Sequence, residues 1–534
     1  MEERMESLSE ARLSVARVLI VLFGAIALLA TAPAHAKTFR WAYQSDVLTM
    51  DPHNSSETFS LGFLGNVYEG LVQRDKDLSI LPALATEWSV VQPDVWRFKL
   101  RQGVKFHDGS DFTADDVIFS LERSRSAGSD VKPFVAGIKE IKKIDSHTID
   151  IVTNGPQPVL LNSIALWYIV PKKWFEAHNA VEVARPIGST PSQNHATFHA
   201  NGTGPYKVKV REPDVRTVLA ANLEWWAKRT GNVTEGTFTP ISSGPTRVAA
   251  LLAGELQMMY PVPLQDVARI NATSGLRVLQ NAELRTVFLG MDQGRDELLY
   301  SNVRGKNPFK DKRVRLAFYK AIDAGAIQQK IMRGASRPAA LLIAPGISGY
   351  DAKLDIRFAY DPDEAKKLLA EAGYPNGFEV QFDCPNDRYV NDEAICQAIA
   401  VMLARIGITA KVNAQTKSSH FKRVTGKDTS FYLIAWTPGS LDMLETFAYH
   451  VSSKGDWNVV GYKNPQVDTL LKKIAVEMNP ASRQELISEA MKMVRDDVAY
   501  LPIHQQALAW GTRTDIDLVQ YPDDTFGLRW VTVK

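Results

Sequence analysis

The sequence predicts an α/β protein whose open sheets are arranged in two lobes. Three observations carry that prediction. Strand-like runs alternate with capped helices along most of the chain, its 534 residues exceed what one hydrophobic core usually holds, and no internal repeat or low-complexity linker breaks the pattern. The composition, 45% apolar and 23% charged, is that of an ordinary globular protein. With 62 basic and 60 acidic residues the formal charge is only +2, which argues against a nucleic-acid binder.

The first 36 residues read as a secretory signal peptide. After Arg12 and Arg17 comes the apolar run "VLIVLFGAIALLA", Val18 to Ala30, shorter than the roughly 20 residues a membrane span needs. Ala34-x-Ala36 supplies the small-residue cleavage site, placing the mature N-terminus at Lys37. Glutamates before Arg12 are unusual in such a leader and leave Met5 as an alternative start. Twin arginines are absent, which favours the general secretory route. No cysteine follows the cleavage site, so a soluble periplasmic protein without a lipid anchor is expected.

Farther along, "WRFKLRQGVKFHDGSDF" alternates apolar and polar side chains on either side of Gly103 and again up to the hairpin-turn dipeptide Asp108-Gly109. His107 and Asp108 invite an acid–base reading. Neighbours on a strand point to opposite faces, so the two cannot share a proton. Thr113 with Asp116 three residues on makes a capping-box helix start, and Val117, Ile118 and Leu121 give that helix a buried face. The stretch reads as scaffold.

His195 and His199 have a spacing that could hold a metal on a helix, but "GSTPSQNHATFHANGTG" is loop-like in composition. "NGTGPYKV" lacks the third glycine of a phosphate loop and reads as a turn entering a strand. In "DPDEAKKLLAEAGYPNG", Asp361 caps, Pro362 takes the first helical position, Leu368 and Leu369 face inward and Gly373 ends the helix. Asn391 starts a helix whose Ile395, Ile399, Met402 and Ile406 form a stripe closed by Gly407, and a third helix runs from Pro480 to about Asp496. Cys384 and Cys396, the only cysteines, read as two unpaired core residues, with a bridge as the alternative that an oxidising compartment permits. No G-x-S-x-G elbow, H-E-x-x-H helix, P-loop or C-x-x-C pair is present, so no enzyme, cofactor or metal is expected.

Several long motifs in order resemble the peptide/nickel-type (family 5) extracellular solute-binding proteins of bacterial ABC transporters. They are "VYEGLVQRDKDLSILPALATEWSVVQPDVWRFKLRQGVKFHDGSDFTADDVIFSLER", "GTGPYKV", "PFKDKRVRLAFYKAIDAGAI" and "YDPDEAKKLLAEAGYPNGFE". The resemblance implies a two-lobed periplasmic binding protein fold (type II, large cluster C-like) with an extra subdomain in lobe I. Lobe I would comprise residues 37–283 and 505–534, with the outer subdomain at about 71–200, and lobe II residues 284–504. It implies no catalysis. It implies a monomeric receptor that closes on a peptide or peptide-like solute and delivers it to ABC permease subunits at the inner membrane. Its cleft would be lined by "YQSDVLTMDP", "FLGMDQ", the loop entering the Asn391 helix and "AWTPGSLD", which nominates Gln44, Asp46, Asp292, Arg388, Tyr389, Trp436, Thr437 and Asp442 as ligand-binding residues.

One departure bears on the ligand. Peptide-binding members that grip a free amino terminus place an aspartate three residues after the tryptophan of that last loop, where this chain has Gly439. The arginine that the dipeptide-binding branch offers a carboxylate falls at Glu393 and Ala394. A zwitterionic dipeptide would therefore lose both usual partners, with Asp442 and Arg388 as neighbouring substitutes. An oligopeptide or peptide-like amino-acid derivative is expected, with a nickel complex, an opine or a sugar as alternatives, and a periplasmic chaperone or scaffold as the alternative of another class.

Overall fold

Two long strands, Leu276–Met291 and Leu501–Arg513, pair antiparallel through the middle of the structure. This is a computed structural model, and it describes residues 37–184 and 192–534. The expected leader and its cleavage site lie outside the described residues. Both strands read as nearly continuous apolar runs where they are covered on two faces, as "TVFLGM" is. Their register breaks between Ala282 and Thr286, so Glu283, Leu284 and Arg285 bulge out of the ladder.

The two strands join the halves of an eleven-stranded sheet. On one side Phe431–Trp436 pairs with the distal half of Leu276–Met291 and is followed by Glu379–Pro385 and Thr409–Gln415. On the other, Met258–Met259 pairs with the end of Leu501–Arg513 and is followed by Thr38–Tyr43, Glu235–Pro240, Arg216–Ala221 and Tyr206–Glu212. The expected α/β architecture in two lobes is what the structure has. A separate four-stranded antiparallel sheet, built from Ala85–Gln92, Val95–Leu100, Thr148–Thr153 and Ile138–Asp145, packs over its own core of Phe98, Val117, Leu121, Ile149 and Ile151.

The local signals fix the helices. Asp361 caps Pro362–Glu371 by accepting from the Glu364 N–H, and Asn479 caps Pro480–Asp496. The helix after Asn391 runs Asp392–Ala404, but the Asn391 amide bonds the Ile331 carbonyl instead of capping it. Cys384 at the end of one strand and Cys396 one turn inside that helix are joined by a disulfide, which corrects the unpaired reading. The strand end and the first turn of the helix stand side by side in the fold, a proximity that spacing alone does not disclose.

His107 is held as scaffold. Strand Val95–Leu100 ends before it, and the second run forms a turn with a single bridge between Lys105 and Asp111 rather than a full strand. Its Nε2 donates to the Gly204 carbonyl at 3.0 Å and its Nδ1 accepts from the Gly202 N–H at 3.4 Å, so the ring ties this turn to "NGTGPYKV". Asp116 closes the capping box on Thr113 as expected. His107→Ala is expected to lower stability by about 1–3 kcal/mol through the lost bonds, with ligand affinity unchanged. Urea denaturation and calorimetry together check this, and a large affinity loss at unchanged stability would contradict it.

The segment with His195 and His199 forms a short helix, His195–Phe198, which Asn194 caps; residues 185–191 before it lie outside the described residues. His178, His195 and His199 stack face to face with ring centroids 4.2 and 4.0 Å apart. A metal lies in the plane of each imidazole that binds it, and parallel stacked planes do not meet. As arranged, these rings cannot share an ion.

Candidate ligand-binding site

A cavity of about 600 Å³ opens where the two halves of the large sheet meet. Its walls come from five stretches distant in sequence. Strand Thr38–Tyr43 ends in Tyr43, Gln44 and Ser45, and Pro261 to Gln265 follow the short strand Met258–Met259. The bulge brings Glu283 and Arg285, Leu501–Arg513 brings Gln506 to Trp510, and the loop before helix Asp392–Ala404 brings Asp387 to Asn391. Glu57, Phe59, Arg247, Lys417 and Asp524 complete it. Because the bulge frees its side chains from the ladder, two charged residues of a buried strand can face this space.

The charges are of both signs, and most are hydrogen-bonded within the protein. Arg285 Nε donates to Glu283 at 2.7 Å, and the Gln506 amide donates to the same carboxylate. Arg247, 3% exposed, donates to the carbonyls of Ile241, Ser242 and Pro261. Asp387 accepts from the Lys417 N–H. Among the described residues Glu283–Arg285 is the one ion pair in the lining, and Glu57, Arg247, Asp387, Arg388, Lys417 and Asp524 have none. Arg388 lies over the Tyr389 ring at 5.3 Å, and Asp524 accepts only from Trp510 Nε1, at 3.2 Å. Both act on Tyr43: burial pushes its hydroxyl pKa up, Asp524 and Glu57 push it further, and Arg388 and Arg285 pull it back.

Of the residues nominated from sequence, Gln44, Arg388 and Tyr389 line this cavity. Tyr389 is held in place because its hydroxyl accepts from the Ala435 N–H at 3.0 Å. The other five lie away from the cavity lining. Asp46 accepts from Arg211 at 2.9 Å and from the N–H groups of Val47 and Asp214. Asp292 takes the N–H groups of Gly294 and Arg295 and the Arg295 guanidinium, closing the turn after Leu276–Met291. Asp442 receives two bonds of 2.8 Å from Arg483 and caps helix Met443–His450. Trp436 packs its ring on His450 at 4.8 Å, with Tyr449 and Trp457 beside it. Thr437, next to it, turns its hydroxyl into the interior. Asp392 turns its carboxylate onto the N–H groups of Arg388 and Tyr389 in the loop and of Glu393 in the first turn of helix Asp392–Ala404.

The loop that lacks the expected aspartate is closed from within. Glu445 accepts from the N–H groups of Gly439 and Ser440 at 2.9 and 2.7 Å, and a side chain at Gly439 would point at that carboxylate. From across the molecule Arg74 donates to the Gly439 carbonyl at 2.7 Å and pairs with Asp523 at 3.4 Å. Sequence reasoning missed Glu283, Arg285 and Asp524. The first two carried a legible signal, two charges at strand spacing within "NAELRTVFLG", whereas Asp524 had none.

Comparison with known proteins shows the family and the fold. Residues 79–458 match the model of the bacterial extracellular solute-binding proteins, family 5 Middle. The chain is 26% identical over 497 residues to the glutathione-binding protein GsiB of Escherichia coli O157:H7, covering 91% of this chain and 92% of that one. The ABC transporter-associated periplasmic binding protein DppA from Helicobacter pylori, in complex with the peptide STSA, superposes with a TM-score of 0.75 at 25% identity, over 93% of this chain and 98% of that one. The dipeptide binding protein from Pseudoalteromonas sp. SM9913, in complex with Met-Leu, has the same fold, with a TM-score of 0.77 at 19% identity over 93% and 100%.

Proposed function

Because the chain belongs to the family 5 bacterial extracellular solute-binding proteins, we propose that it is the periplasmic receptor of an ABC importer and captures a peptide or peptide-like solute in the cavity between its lobes. The observation that carries this reading is a cavity lined by aromatic rings and by charges of both signs, among them Arg388 and Asp524, which have no ion pair among the described residues. A peptide carries both charges and an amide backbone, and GsiB and DppA are relatives whose ligands are a glutathione and a peptide. Gln44, Arg388 and Tyr389 are the proposed contacts.

In this reading lobe I comprises residues 37–283 and 505–534, with an outer subdomain at about 71–200, and lobe II residues 284–504, so that the bulge at 283–285 sits on the crossover. The leader at 1–36 is removed on export and the mature protein works as a monomer with membrane permease subunits. Among the described residues no helix is long and apolar enough to cross a membrane. The family consists of binding receptors, and the reading requires no turnover.

A ligand that bridges the lobes binds the closed form preferentially and stabilises it by about 2.7 kcal/mol at one hundred times its Kd. The test is to elute and identify by mass spectrometry the small molecules carried by protein purified from its host. They are then added back while small-angle scattering and thermal unfolding are recorded. A smaller radius and a higher Tm are expected. An unchanged radius and Tm at saturation overturn the reading.

A further inference from the structure

We propose that Asp524, the hydroxyls of Tyr43 and Tyr260 and the ring of Trp510 form a subsite for a protonated amino group of the ligand. The proposal deepens the peptide reading above and rests on it. Tyr43 and Trp510 line the cavity, and Tyr260 lies between them with ring centroids 4.8 Å from each. Trp510 in turn donates its Nε1 to Asp524 Oδ1 at 3.2 Å, which leaves the second oxygen of that carboxylate without a partner among the described residues. The four side chains thus form one connected wall.

Within that wall the acceptors are unused. Tyr260 is 2% exposed, and among the described residues its hydroxyl has no hydrogen-bond partner; nor has that of Tyr43. Neither hydroxyl is sealed from solvent, so both are open to a partner from outside the protein. Asp524 has no ion pair, while Glu283 is already committed to Arg285 and Gln506. Burial and the nearby Glu283 both raise the proton affinity of Asp524, while Arg285 and the Trp510 bond lower it. Glu57, near Tyr43 and Tyr260, adds a second negative group, and Arg285, Arg388 and Arg247 are the opposing cations near this wall. An ammonium offers three donors, which matches one carboxylate oxygen and two hydroxyls, and aromatic faces favour a cation as well.

The test offers wild type and Asp524→Asn a synthetic library of random tri- to pentapeptides and the same library N-acetylated, and weighs what each captures. Wild type is expected to prefer the free-amine library by about 10- to 100-fold, and Asp524→Asn, which keeps the shape and removes the charge, to lose that preference. Wild type that captures both libraries equally, or a folded Asp524→Asn that keeps the preference, overturns the subsite and leaves the receptor reading standing. Wild type that captures neither library overturns the peptide reading and the subsite with it. If Asp524→Asn does not fold, Tyr260→Phe decides: a several-fold loss of preference supports the subsite, and an unchanged preference overturns it.

Discussion

Asp442→Ala will destabilise the protein by about 3–5 kcal/mol and leave the affinity of the folded molecule for its ligand within about twofold. The carboxylate is 1% exposed and receives both bonds of a bidentate pair from Arg483. Removing it strands a buried guanidinium and also uncaps Met443–His450, whose Leu444 N–H it accepts at 2.9 Å. Arg483→Met on top of Asp442→Ala removes the stranded charge and should recover much of the loss, since a buried pair replaced whole is often neutral. Urea denaturation of the single and double variants measures the first claim, and calorimetry on the folded fraction the second. A tenfold affinity loss at wild-type stability would return Asp442 to the binding site.

That outcome shows what sequence could and could not disclose about the site. Helix starts at Thr113, Asp361 and Asn479 were legible because a cap is settled within three residues of chain. Gln44, Arg388 and Tyr389 were reachable because the resemblance names whole loops, and these loops do reach the cavity. Within the loops, the aspartates looked like anchors because an exposed carboxylate and one paired inside the fold have the same letter. Asp46 finds Arg211 and Asp442 finds Arg483 through contacts 165 and 41 residues apart in sequence, which no local pattern records. The disulfide was undecided for the same reason. Asp524 was invisible because its neighbours Trp510, Tyr260 and Tyr43 come from three separated strands and loops that only the folded sheet assembles.

His450 and His504 give the protein an acid sensitivity that can be assigned to single residues. Burial pushes the His450 pKa down to about 3 and that of His504 down to about 4, with Arg357 opposing a second charge near the latter. Both are therefore neutral in the folded protein and titrate near 6.5 when unfolded. The unfolded chain binds the extra protons between these values, so stability from each histidine is fully present above pH 6.5 and is lost as pH falls toward the folded value. Over the two units from pH 6.5 to 4.5 that amounts to about 2.2 kcal/mol for each. Buried carboxyls such as Glu69 and Asp392, whose pKa values burial raises, work in the opposite direction and mask part of this in wild type. A difference between variants removes the mask. His450 packs edge to face against Phe288, at 5.3 Å, and Trp436, so His450→Phe keeps an aromatic ring in that setting while abolishing the titration. His504→Leu does the same on strand Leu501–Arg513. Each substitution should flatten the fall in stability between pH 6.5 and 4.5 by about 2.2 kcal/mol, and the double variant by about 4.5 kcal/mol, since the sites titrate independently. Urea denaturation at half-unit steps reads the slopes directly. Variants that fold but lose stability with acid as steeply as wild type would mean that these imidazoles find water or a partner on protonation.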